Sequence, residues 1–281
     1  MRRAIFGLYT YVEFFALGVL LLPAFALVAL VKRDRDPANR ARGRMMRFYG
    51  WLSSSITPIW RFSVAGTPPA DIAGQGYVAI SNHESTADPF LLTHLPFDLR
   101  FIAKDSIFRL PLIGWLMRLC GDIPIKRGDA GSVRVMFEKC RETLRAGCSV
   151  MIFPEGTRSP DGTLLPFKDG AFQLAIETQR PLLPMALAGT KQCRPKGSLW
   201  FGRARARVVV LPPISTTGLT LEDLPRLRDE AREQIQRAAN QLRAELGLES
   251  SETVMPRSAQ ACGLNTDMNT GRLVRADSTR T

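Results

Sequence analysis

Seven short apolar runs rich in valine and isoleucine, set apart by turn residues and helical patterns, constrain this chain most. They fall at residues 61–64, 77–81, 99–103, 122–125, 149–153, 182–188 and 206–211, and runs of that length and composition predict strands. Helical spacing occupies 89–95, 108–119, 132–146, 171–178 and 221–246. Such alternation predicts an α/β domain with a mixed, largely parallel sheet flanked by helices. With 281 residues, 45% of them hydrophobic, the chain has material for one large core plus terminal additions. The expected division is 1–60 as N-terminal membrane-anchoring helices, 61–248 as the catalytic domain and 249–281 as a tail. The tail is rich in Ser, Thr, Asn, Arg and Gly and poor in periodic apolar residues, which predicts mobility.

Residues 4–31 are apolar apart from Glu13 and a few Tyr and Thr. As a helix rising about 1.5 Å per residue they exceed a hydrocarbon core of roughly 30 Å. Glu13 and Pro23 keep two arrangements open: a crossing helix, and a kinked or interfacial one. The run is longer than a signal-peptide core of about 7 to 15 residues, so a retained anchor is expected. Lys32, Arg33, Arg35, Arg40, Arg42 and Arg44 follow it. Positive flanks stay inside, which places the active domain on the cytoplasmic side of the cell membrane. Residues 45–60 mix aromatic, aliphatic and polar side chains and predict a second helix, on the membrane surface or against the first.

The excess of Lys+Arg (38) over Asp+Glu (26) gives a net charge of +12, which favours polyanionic partners. No helix-turn-helix, zinc-finger spacing or aromatic-rich basic strand points to nucleic acid. Cys120, Cys140, Cys148, Cys193 and Cys262 are odd in number and scattered, which suits a reducing compartment and no disulfide framework. With two histidines in the chain and no ligand cluster, neither a metal nor a cofactor is expected.

His83 follows the apolar run 77–81, and Asp88 stands directly before Pro89. Aspartate is a favoured N-cap and proline a favoured first helical residue, so a helix is expected to begin at Pro89 with Asp88 as its cap. On one straight helix His83 and Asp88 would lie about 140° apart. A loop instead lets the imidazole fold back onto the carboxylate, which would fix its tautomer and support the cation formed on proton uptake. The second histidine, His94, has no such partner and reads as structural or exposed.

Phe153, Pro154, Glu155, Gly156, Thr157, Arg158 and Ser159 follow another apolar run. The carboxyl end of a strand in an α/β sheet is where ligands bind. Gly156 permits close backbone approach, Arg158 can grip a phosphate with two parallel bonds, and Thr157 adds a hydroxyl donor. Glu155 can accept from a substrate hydroxyl. Lys104 and Arg127 close two further strands and bring cations toward the same place.

These residues resemble the glycerolipid acyltransferase family. The resemblance covers about 62–211, with blocks at Asn82, His83, Ser85 and Asp88, at Gly121, Ile123 and Arg127, across Phe153 to Ser159, and at Pro184. Lys126 stands where the family often has Asp, and Lys104, ahead of Pro111 and Gly114, resembles the family's phosphate-contacting lysine. The resemblance implies that His83 deprotonates the free hydroxyl of lysophosphatidic acid, a membrane lipid, which attacks an acyl thioester directly, with Asp88 orienting the base. It implies that Lys104, Arg127 and Arg158 hold the phosphate while Glu155 and Gly156 position the glycerol. Acyl-CoA or acyl-carrier protein is the expected co-substrate. Alternatives are another acceptor, such as glycerol 3-phosphate or a lyso-ornithine-type lipid, and a non-catalytic protein bound to anionic lipid.

Overall fold

The computed structural model describes residues 2–32, 36, 39–159, 162–195, 197–248, 264–266 and 273–275. Arg33, Arg35, Cys262 and most of the expected tail lie outside them. In chain order, α1 (Arg2–Val31) and α2 (Arg40–Ile56) lead into β1 (Trp60–Ala65), α3 (Ile72–Gln75), β2 (Val78–Ser81) and α4 (Asp88–Leu92). Then come β3 (Leu99–Lys104), α5 (Asp105–Phe108), α6 (Ile113–Cys120), β4 (Ile123–Ile125), α7 (Ala130–Arg145) and β5 (Ser149–Ile152). The series continues with α8 (Gly170–Thr178), β6 (Leu182–Ala188), α9 (Thr190–Cys193), β7 (Ala204–Val210) and α10 (Leu224–Glu245). These belong to one compact unit, Met1–Leu246. A second unit, Gly247–Thr281, contains the short antiparallel pair β8 (Leu264–Thr266) and β9 (Leu273–Arg275).

Seven strands form one sheet in the order β1-β7-β6-β2-β5-β3-β4. Every neighbouring pair is parallel except β6 and β7. Strands β2 and β6 are buried at every residue, which is why they read as continuous apolar runs in the sequence. Successive residues of a strand point to opposite faces. Val78, Ile80, Leu182, Ala186 and Ala188 therefore enter one core with α8 and α10, while Ala79, Met151, Leu183, Met185 and Leu187 enter the other with Leu91, Leu92 and Leu95. Five parallel strands, β6 to β4 in sheet order, present their carboxyl ends along one edge.

The helix expected at 108–119 is broken into α5 and α6. Pro111 lacks an amide hydrogen and disfavours helical backbone just before it, and Leu112 adopts φ 63°. Gly114 then packs so tightly that a Cβ would lie 2.3 Å from the carbonyl oxygen of Phe108. The second N-terminal helix begins at Arg40 and stops at Ile56, earlier at both ends than the run 45–60.

Helix α1 is docked along the domain over most of its length. Gly7 lies against Trp200, Phe14 stacks on Tyr49 at 4.8 Å, and Phe25 is buried with Leu112, Leu116 and Cys120. The Tyr49 hydroxyl donates to the Phe14 carbonyl at 2.6 Å, and Ser53 donates to Glu13 at 3.2 Å. The opposite stripe, with Ile5, Leu8, Val12, Phe15, Val19, Leu27 and Leu30, is exposed at helical spacing. Phe48, Trp51 and Trp115 are exposed as well, and so much uncovered apolar surface marks a contact face.

Candidate active site

The side chain of Asn82 continues the β2–β6 ladder beyond Ser81. Its amide donates to the Leu187 carbonyl at 2.9 Å, and its oxygen accepts from the Leu187 amide at 2.9 Å. The chain then leaves the sheet, and His83 folds back so that Nδ1 lies 2.6 Å from Asp88 Oδ2. Asp88 is fully buried and also accepts from the amides of Glu84 at 2.9 Å and Ser85 at 3.0 Å, and from the Thr190 hydroxyl. A carboxylate surrounded by donors makes Nδ1 the donating nitrogen of His83, so Nε2 keeps its lone pair. The ring stacks on Phe153 with centroids 4.0 Å apart.

Asp88 is thus not the cap expected of it. It is the first residue of α4, which has no side-chain cap bond, and its oxygens point back into the loop. Ser85 is also committed, donating to the Arg194 carbonyl at 2.9 Å and accepting from the Ala87 amide. Burial pushes the Cys193 thiol well above its ordinary range, with Asp88 adding to the effect. Neither side chain is an activated nucleophile. His94 accepts or donates at 2.9 Å to Ser54 on α2 and meets Phe62 edge to face, a packing role.

The turn after β5 is tied to the histidine loop. The Ser159 amide donates to the His83 carbonyl at 2.9 Å, and Glu155 receives the His83 amide at 2.7 Å and the Leu165 amide at 3.1 Å. Sequence reasoning put Glu155 on a substrate hydroxyl. The structure puts both its oxygens on backbone amides, with the residue 3% exposed. Burial raises the Glu155 carboxyl from 4.5 to about 7. The folded protein therefore retains a proton that the unfolded chain releases, so this stabilising contribution is complete below about 4.5 and lost as pH rises through about 7. Glu155→Gln should accordingly gain on the wild type in thermal midpoint as pH climbs across that window; a constant difference would refute the assignment.

Gly156 turns with φ 68°, and a Cβ there would lie 3.0 Å from Lys168 Nζ. Lys168 thus lies directly against this turn, a cation that no spacing in the sequence announced. Thr157 is exposed and Arg158 half-buried. Lys104 ends β3, and exposed Arg127 follows β4. Because β2, β5, β3 and β4 are successive parallel neighbours, the histidine loop, the glycine turn, Lys104 and Arg127 line one edge in that order. Pro184 is elsewhere, inside β6 and paired with Ile80.

Two further residues complete the loop and were missed. Thr190 opens α9 and donates to Asp88, while Arg243 of α10 donates to Glu84 at 3.0 Å and to the Gly162 carbonyl. Glu84 is 4% exposed and also accepts from the Gly189 amide at 3.1 Å. Burial pushes the Glu84 carboxyl up, Asp88 adds to this, and Arg243 opposes it. The arrangement offers an oriented imidazole base, its second ring nitrogen without a hydrogen bond among the described residues, beside a cation-rich turn. It can take a proton from a hydroxyl whose molecule also carries an anion.

The family described as Acyltransferase matches residues 64–188 of this chain. The 1-acyl-sn-glycerol-3-phosphate acyltransferase BAT2, chloroplastic, of Brassica napus is 35% identical over 241 residues, covering 85% of this chain and 67% of that protein. The human 1-acyl-sn-glycerol-3-phosphate acyltransferase alpha is 34% identical over 219 residues, covering 76% and 75%. The crystal structure of the 1-acyl-sn-glycerophosphate (LPA) acyltransferase PlsC of Thermotoga maritima superposes with a TM-score of 0.72 at 25% identity, covering 86% of this chain and 97% of that one.

Proposed function

The chain belongs to the Acyltransferase family, and from that membership we propose that it is a 1-acyl-sn-glycerol-3-phosphate O-acyltransferase of phospholipid biosynthesis. It transfers an acyl group from a thioester, of coenzyme A or of acyl-carrier protein, to the sn-2 hydroxyl of lysophosphatidic acid. The observation that carries this reading is the His83–Asp88 pair, 2.6 Å apart and joined through the His83 carbonyl to the turn that bears Arg158.

His83 Nε2 removes the hydroxyl proton as the oxygen attacks the thioester carbonyl. The tetrahedral intermediate collapses with loss of the thiolate, which takes the proton from the imidazolium. Asp88 stabilises that cation and holds the ring. Lys104, Arg127, Arg158 and Lys168 hold the acceptor phosphate, and Thr157 adds a hydroxyl donor. Gly156 leaves room for the glycerol, and Glu155 supports the His83 amide. Base assistance is worth about 10² to 10⁴ in rate, so positioning and oxyanion stabilisation supply the remainder.

The acceptor lives in a bilayer, and the exposed stripe of α1 with Phe48, Trp51 and Trp115 meets that requirement. Because α1 is held by the domain from Gly7 to Phe25, we read it as an anchor lying in the membrane interface. The basic residues that follow it, Arg40, Arg42 and Arg44, suit the anionic cytoplasmic leaflet, so we read the catalytic domain as cytoplasmic.

The test is acyl transfer by the purified protein in lipid vesicles, with phosphatidic acid detected by mass. Arg158→Lys is expected to lower kcat/KM with lysophosphatidic acid about a hundredfold, because a lysine cannot reproduce paired phosphate bonds. Monoacylglycerol, which lacks the phosphate, should show little change between the two proteins. Near-normal turnover of lysophosphatidic acid by the variant would remove the phosphate from Arg158.

A further inference from the structure

The histidine strand β2 is flanked on one side by β5, β3 and β4, whose cations have been described, and on the other by β6, β7 and β1. That second wing also carries positive charge. Arg205 on β7 stands directly opposite Arg61 on β1, and both are exposed. Neither arginine makes a hydrogen bond or ion pair among the described residues, and the same holds for Lys191 on α9. Like charges facing each other across a ladder are unfavourable, so such a pair needs a reason.

Its placement supplies one. Ala188 pairs with Arg207 and lies in the core shared with α10. Residues 205 and 207 therefore project to that same face. Arg207 is neutralised by Glu245 at 3.0 Å, in the last turn of α10. Arg205 lies further toward the catalytic edge, and its carbonyl passes so close to Gly189 that a Cβ there would sit 2.1 Å away. The Gly189 amide in turn donates to Glu84, the neighbour of His83. Lys191 lies on the same approach, its stem 3.9 Å from where a Cβ of Gly162 would be. At about 4.8 Å per strand, β7 is about 10 Å and β1 about 14 Å from β2.

The two sheet faces also differ in what they meet. The apolar surface of α1 and α2 lies on the side of α4, where Leu91 and Leu92 pack. Arg61 and Arg205 lie on the opposite face of the sheet, the one that α10 packs against.

We propose that Lys191, Arg205 and Arg61 form the docking surface for the phosphates of a coenzyme A thioester, two to three strands from the strand that leads to His83. This rests on the acyltransferase reading above and assigns its donor. Nucleotide phosphates concentrate several charges in a few groups, which matches two facing guanidiniums and one lysine. A carrier protein would need a contact of roughly 800 Å² per partner, far more than these three side chains present.

The experiment uses the full chain in detergent, with coenzyme A itself as the probe in a calorimetric titration, so that binding is read without turnover. Arg61→Gln and Arg205→Gln are each expected to weaken binding about tenfold. Both substitutions remove a like-charge neighbour and should not lower the melting temperature. Arg134→Gln with Lys139→Gln, a charge loss equal to that of the double arginine variant and on exposed positions of α7, should change binding by less than about twofold. In the transfer assay the double arginine variant should raise KM for acyl-CoA and leave KM for lysophosphatidic acid alone. The proposal is overturned if the wild type does not bind coenzyme A, if the α7 control matches the arginine variants, or if only a carrier-protein donor is affected. Arginine-dependent binding of coenzyme A without any phosphatidic acid formation would instead sink the acceptor reading and leave the docking surface standing.

Discussion

Replacing His83 with alanine is expected to lower kcat for acyl transfer by about 10²- to 10⁴-fold, the range that base assistance supplies. The fold should survive, because the structural bonds of this residue run through its backbone: its amide donates to Glu155 and its carbonyl accepts from Ser159. Alanine keeps both. The imidazole contributes a stacking contact with Phe153 and one hydrogen bond to Asp88. The loss should therefore appear in kcat while KM for lysophosphatidic acid moves little, since the base acts in the transition state and the cations bind the ground state. A variant with wild-type kcat would take proton transfer away from His83.

The second large effect is expected from Asp88→Asn, about 10³-fold or more in kcat and accompanied by a lower melting temperature. An asparagine amide group facing His83 would donate where the carboxylate accepts. The ring would then flip to the tautomer carrying its proton on Nε2 and could no longer serve as the base. In addition, the Glu84 and Ser85 amides and the Thr190 hydroxyl all aim donors at this buried group, and an amide cannot accept from all of them. Removing one partner from a buried charged network costs about 3 to 5 kcal/mol. Kinetics and thermal melting of the same preparation test both parts; an Asn variant that melts normally would show that the network is not structural.

The strands were legible because β2 and β6, buried at every residue, must be written as uninterrupted apolar runs. The His83–Asp88 pairing and the turn from Phe153 to Ser159 were legible because each is local, six and seven residues long. What escaped depends on strand order. Thr190 reaches Asp88 across 102 positions, and Arg243 reaches Glu84 across 159, because β6 lies beside β2 and α10 packs on β6. The reversal of β7 against β6, which carries Arg205 to the catalytic edge, is equally silent in composition. The backbone partners of Glu155 escaped for the opposite reason. A charged residue in a phosphate-binding turn invites a ligand role, whereas its burial assigns it to backbone amides. The break at Leu112 follows from Pro111, which apolar periodicity alone overrode.

The bonds from α9 and α10 to the histidine loop also bear on how the molecule comes into being. Of the described helices and strands α1, with its greasy outer stripe, is synthesised before all the others. His83 and Asp88 emerge soon afterwards, yet the hydroxyl that steadies Asp88 arrives 102 residues later and the guanidinium that clamps Glu84 comes only with the last long helix. The loop that holds His83 and Asp88 is thus fully tied down only once α9 and α10 have been made and have packed against it.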